Sequence, residues 1–258
     1  MREHGVLGLH PSSIRSKIAG VRFYHIMAGS VDFSSHGLRH KQLLQALQKK
    51  RPVQRKLPVS PDMLAWFHQY MSFAWDDERF AMIWDALILG FTFLLRGSEI
   101  KNLRWRDVSF CEGDGQSYLA ICIQKSKTDQ EGKGVIRSLF QNDTALCPYR
   151  SLEGYSIGLI KESKMPEAFV FPRNILAVVR STIKWFASSL GLDADFPPIH
   201  SLRSGGASAL FSNGVELEII RRFGRWRSSQ FHPYLYGGSI NFRKLSSVLR
   251  QETILPNK

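Results

Sequence analysis

The sequence predicts a mainly α-helical protein with one small antiparallel β-sheet, an α+β fold. Three observations lead there. Apolar residues recur at helical spacing over most of the 258 residues. Three short runs of strand-forming residues stand close together in the middle of the chain, separated by turns rich in glycine and acidic residues. A hydrophobic content of 43% supplies the side chains of a real core.

At the N-terminus, Ser12 or Ser13 offers a capping hydroxyl to a helix running through Ile14, Ile18, Val21 and Ile26. A second helix is expected from Leu38 to Leu47. Two helices make a thin core, so residues 1–48 read as the tail of a longer helical domain. Five cations (Lys49, Lys50, Arg51, Arg55 and Lys56) and the prolines Pro52 and Pro58 then interrupt the pattern, which places a basic linker at 49–59. Residues 60–258 read as the main domain. Ser60-Pro61-Asp62 joins a capping serine to a proline at the first helical position. Asp76 or Asp77 starts the next helix, and the apolar run from Phe80 to Leu95 marks it as buried. Strands are expected at Trp105–Phe110, Tyr118–Gln124 and Val135–Phe140. Helical signals return at Pro148 and over Asn174–Leu190, Leu202–Phe211, Glu216–Phe223 and Ser239–Leu249. No internal repeat or low-complexity segment is evident.

With 35 Lys and Arg against 22 Asp and Glu, the chain carries a formal charge of +13, which favours a polyanionic partner, most simply nucleic acid. An acidic membrane surface is the competing reading. The longest apolar run, Ala86 to Leu95, is about half of what a bilayer requires, so no membrane span is expected. Met1-Arg2-Glu3-His4 leads into no signal peptide. Cys111, Cys122 and Cys147 are odd in number and scattered, which argues for a reducing compartment and against a disulfide framework or zinc ribbon. The five cations at 49–59 are candidate DNA contacts; a solvated loop or a nuclear-localisation patch explains them equally well.

Chemistry is suggested by a scattered set of arginines that ends in a tyrosine. A phosphate attacked by an oxygen nucleophile gains charge on its non-bridging oxygens, and arginine, planar and permanently charged, matches two of them. Arg96 closes an apolar run and is followed by Glu99, three residues on, where a carboxylate can hold its guanidinium in one orientation. Alone, Arg96 would read as a charge at a helix end. Leu103, Trp105 and Asp107 complete an Arg-x-x-Glu-x-x-x-Leu-x-Trp-x-Asp string and read as packing and turn residues.

Lys125 and Lys127 follow the apolar strand, and two-residue periodicity puts both on one face, so periodicity does not choose between them. One of them could give a proton to a departing sugar oxygen, as a general acid must; a solvated hairpin tip is the plain alternative. His200 and Arg203 share a helical face if a helix begins near Pro198, and Gly205-Gly206 would let another backbone or a phosphate come close. Gly224-Arg225-Trp226 adds a cation and an indole, and Tyr234 and Tyr236 follow it. A tyrosine can form a covalent phosphoryl intermediate. Positioned donors then stabilise the developing charge, so no metal or other cofactor is expected. Asp107, Asp114 and Asp129 lack the spacing of a metal-ligand cluster.

These motifs, in this order, resemble those of the tyrosine recombinases or phage-type integrases, which share their catalytic-domain plan with type IB topoisomerases. The resemblance covers about Ser60 to Leu249, with a weaker likeness of Gly5 to Leu57 to the end of that family's core-binding domain. It rests on Arg96 with Glu99, the hairpin Ser126-Lys127-Thr128, His200-x-x-Arg203, Gly224-Arg225-Trp226 and Tyr234. The Gly-Arg-Trp form beside an intact His-x-x-Arg is most similar to recombinases of eukaryotic mobile elements, the Crypton and DIRS-like ones.

The resemblance implies that Arg96, His200 and Arg203 hold the scissile phosphate, that Lys127 is the general acid, and that Tyr234 attacks to leave a 3′-phosphotyrosyl link. His200 would also assist proton transfer at the tyrosine. Arg225 stands where the family's common Gly-His form has histidine, while Trp226 supplies the alternative residue type and is favoured for that role; Lys125 and Arg225 then rank as DNA contacts. Tyr234 fits the family's spacing better than Tyr236. The implied partners are double-stranded DNA and three further copies, a homo-tetramer on two DNA sites, with Ile240, Phe242, Leu245, Val248 and Leu249 as the stripe of an exchanged or internally packed helix. The implied place is the nucleus in a eukaryote and the cytoplasmic nucleoid otherwise. A non-cleaving DNA-binding protein would have the same charge and fold, and a topoisomerase would share the chemistry while relaxing supercoils without a partner site.

Overall fold

A computed structural model of the chain describes residues 9, 11–30, 37–50, 58–71, 73, 78–124, 134–154, 166–191 and 198–226. It divides into two units, Met1–Arg55 and Lys56–Lys258, a boundary that falls within the basic segment. The first unit contains α1 (Pro11–Met27) and α2 (Gly37–Lys50), which pack on each other. Helix α1 begins at Pro11, which places Ser12 and Ser13 in its first turn, and α2 runs through Lys49 to Lys50, the first two residues of the basic segment.

The second unit is built around one buried helix. Ser60 Oγ accepts the N–H of Met63 at 3.1 Å and so caps α3 (Pro61–Met71) as its sequence predicts. The next helix, α4 (Glu78–Thr92), is buried continuously from Ile83 to Phe91. It stops at Thr92, so Phe93, Leu94 and Leu95 are buried as a turn, not as helix. A short helix, α5 (Gly97–Asn102), follows at once.

Trp105–Asp107 forms a tight 3₁₀ turn, which shortens the first expected strand to β1 (Val108–Gly113). Strands β2 (Gln116–Ile123) and β3 (Val135–Phe140) complete an antiparallel sheet in the order β1-β2-β3, with Val108 opposite Ile121 and Ile123 opposite Val135. Asp114 and Gly115, at φ 52 and 73, make the two-residue β1–β2 hairpin loop whose twist suits the flanking strands. Leu119, Ile121 and Ile123 alternate along β2 and point into the core.

A helical segment, α6 (148–154), leads to α7 (Ile175–Ser189), α8 (Pro198–Ser212) and α9 (Leu217–Phe223). Helix α8 packs on α3, α4, α7 and α9. No described helix is long and apolar enough to cross a membrane. The expected helix Ser239–Leu249 lies outside the described residues.

Candidate active site

Two helix ends and one helix start converge to form the site. Helix α4 closes with Leu94 in left-handed backbone, φ 52, while the Leu95 N–H reaches back to Gly90 O at 3.2 Å. Such a six-to-one hydrogen bond normally accompanies a glycine at the left-handed position. Two residues on, α5 begins. Arg96 gives its backbone N–H to Glu99 Oε2 and its Nη1 to Glu99 Oε1, both at 2.7 Å. Glu99 therefore caps its own helix while holding the Arg96 guanidinium; its side chain is 3% exposed and that of Arg96 is 22% exposed.

Helix α8 brings Arg203 to the same place. The expected close approach at Gly205-Gly206 is to backbone: a β-carbon on Gly205 would lie 1.9 Å from Val59 O, and one on Gly206 would lie 2.0 Å from Phe91 O. Only glycine lets α8 sit this near α4. Arg203, fully buried, donates from Nη1 to Leu94 O at 2.6 Å and from Nη2 to Gly224 O. Its guanidinium lies 4.2 Å from the centre of the Trp226 ring, a cation–π contact.

His200 stands one turn earlier on α8 and is exposed. Lost hydration on its protein side, then the charges of Arg203 and Arg96, hold its pKa below the ordinary histidine value of 6.5. The imidazole is consequently neutral at pH 7 and able to accept a proton.

Helix α9 ends in a second left-handed residue, Arg225, at φ 60. Trp226 N–H bonds Arg221 O at 3.0 Å and Arg225 N–H bonds Arg222 O at 3.1 Å, the pair of a Schellman cap with arginine in the position glycine favours. Arg225, ranked above as a DNA contact, has a side chain that is 5% exposed and points inward, donating from Nη2 to Glu99 Oε2 at 2.7 Å and to Leu94 O at 3.1 Å. Burial lowers its pKa while Glu99 raises it. Arg137, on β3, bonds Phe223 O at 3.1 Å and Arg222 O at 2.7 Å, tying the sheet to the same helix end. Cations suit this end of a helix, where carbonyls carry the negative pole.

Arg96, Glu99, Arg203, Arg225 and Trp226 are thus gathered in one place, with His200 beside them. Two guanidiniums share the Glu99 carboxylate, and a third rests on backbone carbonyls, so the place is electropositive. Lys125, Lys127, Tyr234, Tyr236, Arg51, Arg55 and Lys56 lie outside the described residues. Lys49 is exposed on α2, and Lys50 ends that helix. Leu103 is core, Trp105 packs against it, and Asp107 accepts the Arg104 N–H at 3.1 Å and Gln124 Nε2 at 3.0 Å, all structural roles. Sequence reasoning missed Leu94 and Arg137. A leucine carries no signature of left-handed backbone, and a strand arginine reads as solvated.

The sequence matches no family model and no curated protein. Its fold has solved counterparts. The integrase of transposon Tn1549, in complex with circular intermediate DNA, aligns with a TM-score of 0.62 at 15% identity, over 96% of this chain and 83% of that one. XerA recombinase aligns at 0.56 and 17% identity, over 94% and 84%. The XerH site-specific recombinase, in a post-cleavage complex with its palindromic difH substrate, aligns at 0.55 and 14% identity over 76% of this chain; the match spans 54% of the XerH chain, about half its length. The mostly helical architecture with its three-stranded antiparallel sheet is the catalytic-domain fold of the tyrosine recombinases.

Proposed function

We propose that the chain is a site-specific DNA recombinase or integrase of a mobile element, Crypton or DIRS-like in kind, that cuts and rejoins DNA through a 3′-phosphotyrosyl intermediate without metal or ATP. The observation that carries this reading is the meeting of Arg96 and Arg203 around the Leu94 turn, with the neutral His200 alongside, in a fold shared with tyrosine recombinases. Permanently charged donors fixed where phosphate charge develops are what in-line phosphoryl transfer requires.

The Tyr234 oxygen attacks phosphorus, the bond to the 5′ oxygen breaks, His200 takes the phenolic proton and Lys127 protonates the leaving oxygen. Transfer to tyrosine conserves one phosphodiester-like bond for each one broken, so a 5′ hydroxyl can reverse the step on a new partner strand. The protein works as a homo-tetramer on two DNA sites, in the nucleus of a eukaryotic host or on the nucleoid of a prokaryotic one.

The test is covalent capture. The chain is mixed in EDTA with nicked duplexes randomised around the nick, denatured, and the protein-bound DNA is sequenced. Recovery of one preferred sequence supports the proposal; tight DNA binding without any adduct favours a non-cleaving DNA-binding protein.

A further inference from the structure

Glu99 meets two arginines, and they divide its carboxylate. Oε1 takes Arg96 Nη1 at 2.7 Å; Oε2 takes Arg225 Nη2 at 2.7 Å, besides the Arg96 backbone N–H. A carboxylate with a single guanidinium partner tends to close a two-pronged fork with it. Here the second prong is occupied, so Glu99 grips Arg96 by one Nη only, and Nη2 of Arg96 makes a long 3.5 Å contact with Arg225 O.

The arrangement carries visible costs. Arg225 stands at φ 60, where a glycine would be unstrained. Its Nε is buried and has no hydrogen-bond partner among the described residues. Burying a cation and leaving one of its donors unmet are both unfavourable. A plain helix end would be served better by glycine, so the side chain needs a reason beyond the turn. Its 126-residue reach to Glu99 provides one.

We infer that Arg225 is a positioning residue, which occupies one oxygen of Glu99 so that Arg96 is held single-pronged and keeps donors for an anion. That the anion is a DNA phosphate rests on the function proposed above. The residue touches no reacting atom in this scheme and acts through Glu99.

The test compares wild type, Arg225→Gly, Arg225→Lys and the double variant Arg225→Gly/Glu99→Gln on the captured duplex. Glycine takes the left-handed turn without strain, so folding and DNA binding are expected to hold in Arg225→Gly. Its adduct formation at saturating DNA is expected to fall about tenfold or more, the scale of a lost or misdirected charge-assisted donor. Glutamine offers one accepting oxygen and cannot fork, so the double variant recovers part of that loss. Lysine keeps a charge on Glu99 and stays within a few-fold of wild type.

Phenylglyoxal modification of Arg96, followed by peptide mass spectrometry, reads the same event without cleavage: it slows in Arg225→Gly and recovers in the double variant. A larger loss in the double variant, or unchanged adduct and labelling in Arg225→Gly, overturns the inference. Should Arg225→Gly fail to fold, Arg225→Gln replaces it in every comparison. If wild type forms no adduct, the strand-transfer proposal fails while the Arg96 labelling still decides this one.

Discussion

Arg225 donates from Nη2 to the carbonyl oxygen of Leu94 at 3.1 Å, and both residues occupy left-handed backbone, at φ 60 and φ 52. Two helix ends, 131 residues apart in the chain, are thereby joined through the two positions where each bends away from its helix. Arg203 donates to the same carbonyl at 2.6 Å, so the Leu94 turn is the point around which the arginines assemble. Helices α4, α8 and α9 must keep their spacing for this geometry to survive.

Spacing is set by Gly206, whose added β-carbon would stand 2.0 Å from Phe91 O. Gly206→Ala is expected to destabilise the chain by about 1–3 kcal/mol through forced separation of α8 from α4. Thermal unfolding checks this, and an unchanged midpoint would show that the helices adjust freely.

The core also holds a carboxyl group with little reason to ionise. Asp85 is 1% exposed; Ser151 donates to its Oδ1, and its Oδ2 has no partner among the described residues. Burial raises its pKa from 3.8 to about 7, against the opposing effect of the Ser151 hydrogen bond. The folded state therefore holds this proton more tightly than the unfolded state, so its contribution to stability falls as pH rises from about 4 to about 7. Asp85→Asn removes that fall and leaves the variant roughly 2–4 kcal/mol better off, relative to wild type, at pH 8 than at pH 4. Denaturant titrations at the two pH values measure it; parallel pH profiles would contradict it.

Arg203→Lys separates charge from geometry. Lysine keeps the positive charge and loses the planar fork that reaches two carbonyls while facing the Trp226 ring. Adduct formation is expected to drop roughly 10²-fold, as when one oxyanion donor is lost. A lysine variant as active as wild type would mean that charge alone suffices.

How far the sequence revealed this arrangement depends on distance along the chain. The helices around Phe80 and from Asn174 to Leu190 and the strands β2 and β3 were legible because burial imposes periods of 3.6 and 2 on their apolar residues. Helix α5 was not, since the six residues Gly97–Asn102 are too few for a period. Arg96 with Glu99 was legible as an i, i+3 pair. The Arg225–Glu99 bridge was not, because no local rule links residues so far apart, and the left-handed turns at Leu94 and Arg225 carry none of the glycine that marks such turns.

The proposed proton donor, Lys127, can be tested apart from the other proposed groups. A duplex with sulfur at the bridging 5′ position has a leaving group that hardly needs protonation, so it is expected to restore cleavage to Lys127→Ala selectively. Equal rescue of Lys125→Ala, or rescue of neither, would reject Lys127 as the general acid.

The central claim is covalent transfer to Tyr234. A phenol near its ordinary pKa of about 10 is protonated at neutral pH, and the proposed neighbourhood of Arg96, Arg203 and the neutral His200 favours removal of that proton. Phenylalanine keeps the ring and has no attacking oxygen. The decisive measurement is the yield of denaturation-resistant protein–DNA adduct in EDTA for wild type, Tyr234→Phe and Tyr236→Phe. Adduct in wild type and Tyr236→Phe with none in Tyr234→Phe, all three binding DNA alike, is the predicted result; adduct that persists in Tyr234→Phe, or forms only when magnesium is supplied, would contradict it.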